Sequence, residues 1–429
     1  MKYKKKTLSN GLRIILVPIP SALTVMVEVA VGTGSEYEKP VEAGISHFLE
    51  HMCFKGTTNR PSSFIIAREM DEIGAIHNAA TGSEYTSYYS KADARHAGKI
   101  LDIIADSYLN STFPAEEIEK EKGVVIEEIH MYEDDPQSKV WDVLRTLMYG
   151  DQAAGRPVLG YEPTVKAMSR SSLIAYRKRH YVPENTVVIV SGNFDEASVL
   201  QAIRASLGKL PAGGKAPAKF KVKAKQTSPA VAIEHRPTDQ THFVMSFRGI
   251  PRSHALYWPA RMLQTVLSGG LSSRIWYKMR EELGICYYAS AYDSNAADYG
   301  EFGVSAGVGN GRLEEAITEI LAELRKIKTE LVPDAELSKA MDYRTGKMYL
   351  GLETSDAWGD FYGFQELIWN RIQTPEEMLK EMKQVTAEDI RRAANLIFDE
   401  RTLNLAVVGP HKDKKKLLKL LRVQVCSGS

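Results

Sequence analysis

The chain has 429 residues, 44% of them hydrophobic, and balances 55 basic against 54 acidic side chains. That length and composition describe a globular chain with core enough for two to four domains. The balanced charge argues against a general nucleic-acid binder, and no apolar run reaches membrane-spanning length.

The opening, MKYKKKTLSNGLRIILVPIP, is basic and then apolar, as an export signal would be. Arg13 and Pro18 interrupt the apolar part and no small-residue cleavage site follows, so it reads as a strand after a turn at Asn10-Gly11. A second strand, with alternating valines, is expected over 24–35.

Next comes GISHFLEHMCFKGT, residues 44–57. Ile45, Phe48, Leu49, Met52 and Cys53 recur at helical spacing, with Gly44 before them and Gly56 as the stop. His47, Glu50 and His51 then share another face, and imidazoles at i and i+4 can reach one ion. This HxxEH order inverts the HExxH helix of zinc proteases. A catalytic zinc takes three protein ligands plus water. The helix supplies two, which leaves Glu50 as general base and a third ligand to come from elsewhere. Against this stands a surface helix that carries its histidines by chance.

A second helix (SSFIIAREMDEIG), a hairpin (AIHNAATGSEYTSYYSKA) and two helices over 92–132, broken near Phe113-Pro114, follow in order. The last of these carries Glu121 and Glu128, seven apart and so on one face. Alone, it reads as a solvated acidic helix. A strand over 185–194 closes the half, and PAGGKAPAKFKVKAK reads as an exposed linker.

The second half repeats this order: strand THFVMSFRGI, helices PARMLQTVLSGG and SRIWYKMREELG, hairpin ICYYASAYDSNAADYGEFGVSAGV, helices over 312–348, and closing strand TLNLAVVGP. A duplicated α+β unit is the economical reading: two homologous domains of mixed sheet plus helices, over 1–212 and 228–429, joined by a linker over 213–227. The first helix of the second copy has no histidine, so a metal site belongs to the first half. Cys53, Cys286 and Cys426 are far apart with no CxxC pair, which disfavours a disulfide framework or cysteine-zinc site and fits a reducing cytoplasm.

Together these residues resemble the pitrilysin/insulinase family of zinc metallopeptidases, the inverzincins, in its shorter bacterial and mitochondrial-processing-peptidase-like branch. That family's pattern is HxxEH, 76 intervening residues, then a glutamate ligand, and the count from His51 falls on Glu128 rather than Glu127. A supporting glutamate seven residues earlier is Glu121. The resemblance extends to LSNGLRI near the start and GGLSSRIWYKMREELGICYY in the second half.

It implies that His47, His51 and Glu128 hold one zinc per chain, that Glu50 is the general base and that Glu121 orients a ligand. It implies an edge strand at Asn78, Ala79 and Ala80, to which an extended peptide adds. Arg280 and Tyr287 match a pair that holds substrate and stabilises the carbonyl oxygen as it turns anionic. Read alone, Arg280 is a helix-end surface charge. His77 matches no ligand, Tyr288 is expected to face away from Tyr287, and the GGLSS turn has no phosphate-loop spacing. The implied activity is a zinc-dependent endopeptidase acting on peptides or unfolded segments, as a homodimer with shared active sites, without nucleic-acid or membrane partners. The rival is a non-catalytic structural or substrate-holding subunit of the same family. Such members have degraded zinc motifs, and here every zinc position is kept.

Overall fold

Strand β3 (Thr24–Val31) shows why this chain builds layers. Val25, Val27, Val29 and Val31 enter one core, while Met26 and Ala30 enter another on the opposite face. A strand buried on both sides needs cover above and below. The computed structural model describes residues 1–426, with side chains as far as Leu421, and divides into two compact units.

In the first unit β1 (Lys4–Thr7), β2 (Arg13–Pro18), β3, β4 (Ile76–Thr81), β5 (Thr86–Asp93) and β6 (Thr186–Gly192) form a six-stranded sheet ordered β1-β2-β6-β3-β5-β4. In the second, β7 (Ala230–His235), β8 (Gln240–Gly249), β9 (Cys286–Asn295), β10 (Gly300–Gly309) and β11 (Asn404–Gly409) form a five-stranded sheet ordered β7-β11-β8-β10-β9. The pairs β2/β6 and β7/β11 are parallel and all others antiparallel. Without β1, the two orders correspond strand for strand, which is the duplicated α+β unit expected from the sequence.

The larger core of the first unit lies between its sheet and helices α1 (Ile45–Met52), α2 (Ser63–Asp71), α3 (Ala97–Asn110) and α4 (Ala115–Asp134). The other face is covered by helix Ser355–Phe364, whose Tyr362 joins Ile15, Val17, Met26 and Ile189. Gly363 permits this close approach, since a Cβ there would lie 2.1 Å from Ile189 Cδ1. Reciprocally, α5 (Pro136–Tyr149) covers the second sheet, with Val140, Leu144 and Met148 against Val244, Ala406 and Val408.

The first unit is therefore Met1–His130, Arg156–Phe220 and Leu350–Gln373. The break after Phe220 falls inside the expected linker, but the halves exchange a segment that the division into 1–212 and 228–429 did not allow for. An amphipathic pattern says that a helix covers something; it does not say which sheet. The helix expected over 273–284 is also irregular, with a short α turn (Arg274–Trp276) running into a π-helical segment (Tyr277–Glu282). Among the described residues no helix is long and apolar enough to cross a membrane. Cys53 and Cys286 are buried free thiols; the side chain of Cys426 lies outside the described residues.

Candidate active site

Helix α1 starts where its sequence allows only glycine. Gly44 sits at φ 89°, and a Cβ there would come 2.4 Å from the Leu159 carbonyl oxygen. Gly44 has no side chain to cap the helix. The buried carboxylate of Glu38 does so instead, accepting from the Gly44 amide at 2.7 Å and the Ser46 amide at 2.8 Å. Ile45, Phe48, Leu49 and Met52 enter the core and fix the rotation of the helix, which turns His47, Glu50 and His51 toward α4 and β4.

His47 and His51 face each other through Nε2 at 3.2 Å, and Glu128 Oε2 of α4 lies 3.6 Å from the first and 3.7 Å from the second. These atoms form a near-equilateral triangle. The nearest point equidistant from all three is about 2.0 Å from each, close to the bond length zinc makes to imidazole nitrogen and carboxylate oxygen. The donor set and its spacing thus fit a divalent ion of the zinc type. Nδ1 of His47 is buried without a hydrogen-bond partner, which leaves Nε2 as that ring's functional atom.

The electrostatics agree. Burial, and then the neighbouring His51, push the His47 pKa down to about 3, so this ring is neutral at pH 7, the form that can donate a lone pair to a metal. Burial opposes charge on His51 too. The hydrogen bond that His51 donates to Glu121 and the charges of Glu50, Glu121 and Glu128 outweigh it and raise that pKa. A field that favours a proton there also favours a divalent cation. Glu121 Oε1 lies 2.8 Å from His51 Nδ1 and its Oε2 2.6 Å from Lys55 Nζ; against the effect of burial, these partners lower its pKa. Glu127, by contrast, is 82% exposed and lies near His130.

Glu50 stands outside the donor triangle. Its Oε2 accepts from Thr81 Oγ1 at 2.7 Å, and burial raises its pKa despite that bond and the nearby His51. Burial that raises the proton affinity of a carboxylate makes it a stronger base than an exposed one. Asn78, Ala79 and Ala80 lie on β4, the edge strand of the first sheet, with Asn78 and Ala80 exposed and Ala79 packed inward. His77 approaches Phe54, with ring centroids 6.1 Å apart, and is not among the donors.

In the second unit, Arg280 lies in the π-helical segment and donates through Nη1 to the Cys286 carbonyl at 2.7 Å. The β9–β10 ladder passes from Gly307↔Tyr288 to Val308↔Cys286, so Tyr287 is the extra residue of a bulge, 59% exposed. The bulge interrupts the regular pairing of β9 at Tyr287, while Tyr288 reaches His242 Nδ1 at 3.1 Å. Both residues sit on backbone irregularities of the kind enriched at functional sites.

Sequence reasoning passed over Thr81, Lys55 and Glu38. Strand alternation would have found the first, since Thr81 shares a face with Ala79. Helical spacing from His51 would have found the second. Nothing local marks the third, because its partnership with α1 depends on how residues 38–44 turn.

A family model described as insulinase (peptidase family M16) matches residues 13–162, and one described as peptidase M16 inactive domain matches 167–343. The chain is 34% identical to the uncharacterized zinc protease YmxG of Bacillus subtilis, covering 95% of this chain and 98% of that protein. It is 33% identical to an uncharacterized zinc protease of Streptomyces coelicolor, covering 96% and 90%. Among solved structures, a protease from Helicobacter pylori matches with a TM-score of 0.88 at 21% identity, over 95% of this chain and 99% of that one. A peptidase M16 inactive domain from Pseudomonas fluorescens matches with a TM-score of 0.87 at 16% identity, over 96% and 99%. The chain belongs to the insulinase family, peptidase family M16, whose matched bacterial relatives carry the name zinc protease.

Proposed function

We propose that this protein is a zinc-dependent endopeptidase that cleaves peptides or unfolded segments. The observation that carries the reading is the triangle of His47, His51 and Glu128 with the Glu50 carboxylate beside it. Zinc, one per chain, would supply Lewis acidity that polarises a carbonyl and acidifies water.

The chain's own residues do the rest. The exposed edge of β4 offers backbone groups to which an extended peptide adds as a further strand, so recognition runs through main chain and tolerates many sequences. Glu50 takes a proton from the attacking water and returns it to the leaving amine nitrogen. Glu121 holds His51 by its Nδ1 proton and thereby presents Nε2 as a ligand. Arg280 and Tyr287 contribute donors for the substrate and for the carbonyl oxygen as it gains charge.

The resemblance to longer family members supports a homodimer in which the zinc side comes from one chain and Arg280 and Tyr287 from the other. A non-catalytic role would leave a buried base and a spaced donor triangle without use. The test is cleavage of an unstructured fluorogenic peptide, abolished by a zinc chelator and restored by stoichiometric zinc. Cleavage that survives complete metal removal would reject the reading.

A further inference from the structure

Thr81 is the last residue of β4, paired with Thr86 of β5 at the mouth of the hairpin. Side chains alternate along this strand, so Asn78 and Ala80 are exposed while Ala79 and Thr81 turn inward. The Thr81 hydroxyl donates to Glu50 Oε2 at 2.7 Å, the one hydrogen bond that carboxylate makes among the described residues. A glutamate side chain has freely turning bonds up to its carboxylate, whereas threonine, branched at Cβ, is stiff at χ1. The strand therefore fixes the hydroxyl, and the hydroxyl fixes the carboxylate.

We propose that Thr81 is a positioning residue for Glu50: its hydroxyl holds Oε2 and leaves Oε1 as the atom that receives and returns the proton. This rests on the reading of Glu50 as the base of a metallopeptidase. The proton balance is simple. Oε1 accepts the proton of the attacking water and becomes a neutral acid, then gives that proton to the leaving amine and is a carboxylate again. Thr81 keeps its own proton throughout, donating to the same oxygen in both states. The strand that receives the substrate is thus the strand that aims the base, three residues beyond Asn78. A purely structural role, packing β4 onto α1, would need the methyl group of Thr81 and not its hydroxyl.

The experiment compares Thr81→Val, which keeps shape and branching, with Thr81→Ser, which keeps the hydroxyl, on an unstructured fluorogenic peptide with zinc content measured alongside. Thr81→Val should hold full zinc and an unchanged KM while kcat falls about 10-fold or more, part of the roughly 10²–10⁴-fold that general-base catalysis contributes. Thr81→Ser should recover most of kcat. In a Glu50→Gln background Thr81→Val should cost nothing further, because the two residues act as one device. An unchanged kcat, a loss that appears in KM or in zinc content, a serine variant as impaired as the valine, or full additivity with Glu50→Gln would each overturn the proposal. A wild-type protein with stoichiometric zinc and no peptidase activity would overturn the functional reading and this inference with it. An active wild type with an unimpaired Thr81→Val overturns the inference alone.

Discussion

Glu121 accepts the Nδ1 proton of His51 at 2.8 Å, and that bond decides what the rest of the ring can do. In the neutral ring with Nδ1 protonated, Nε2 carries the lone pair, and this atom faces His47 and Glu128. Lys55 closes the chain by pairing with the other Glu121 oxygen at 2.6 Å, which keeps this carboxylate ionised. Glu121 of α4 and Lys55, three residues past the end of α1, thereby set the orientation of the His51 ring.

Replacing Glu121 by Gln should weaken zinc affinity about 10–100-fold without abolishing it, because the ligand stays but its orientation and basicity suffer. Competition titration with a chelating dye measures this. An affinity equal to that of the wild type would mean that the His51–Glu121 bond does not tune the site.

Adjacent glutamates on α4 should behave in opposite ways. Glu128→Gln removes a donor from the triangle and should lower zinc occupancy sharply, whereas Glu127→Gln alters a side chain that is 82% exposed and should leave occupancy unchanged. Metal analysis of the two purified variants decides between them. The reverse ranking would mean that the ligand register on α4 is displaced by one residue.

Gly44→Ala should destabilise the first unit by about 2 kcal/mol or more, since it combines a left-handed backbone with a close approach to a carbonyl. The strain falls on the first turn of α1, so zinc retention should drop together with the melting temperature. Thermal unfolding with metal analysis follows both, and an alanine variant as stable as wild type would contradict the local geometry at φ 89°.

Much of this was legible in the sequence, for identifiable reasons. The valines of β3 and the apolar positions of α1 announce their faces through periods of two and 3.6 residues. The cluster of His47, His51 and Glu128, proposed as the zinc donors, is legible because two lie one helical turn apart and the third sits at a fixed family spacing. Other features left no periodic trace. The bulge at Tyr287 depends on how β9 meets β10, and the π-helical segment around Arg280 looks like any helix in an apolar pattern. The exchange of α5 and Ser355–Phe364 between the halves is a choice between two similar sheet faces, made by shape: Gly363 fits beneath Ile189, where a side chain would collide.

The proposed homodimer with shared active sites has a sharp genetic signature. If the sites are shared, His51→Ala and Arg280→Ala should each inactivate the protein. Co-expressed, tag-selected mixed dimers should regain activity, because one of their two sites draws both partners from undamaged halves. Mixed dimers confirmed by sizing, yet no more active than the separate variants, would show that each site is built within one chain.

In the proposed site His47, His51 and Glu128 hold the metal while Glu50 does the proton chemistry without binding it. Purified Glu50→Gln, assayed in one preparation for zinc stoichiometry and for cleavage of an unstructured peptide, tests this division of roles most directly. The expected result is one zinc per chain and a rate reduced about 10²–10⁴-fold, the span typical of a lost general base. A Glu50→Gln protein that purifies without zinc, or one that keeps wild-type activity, would contradict it.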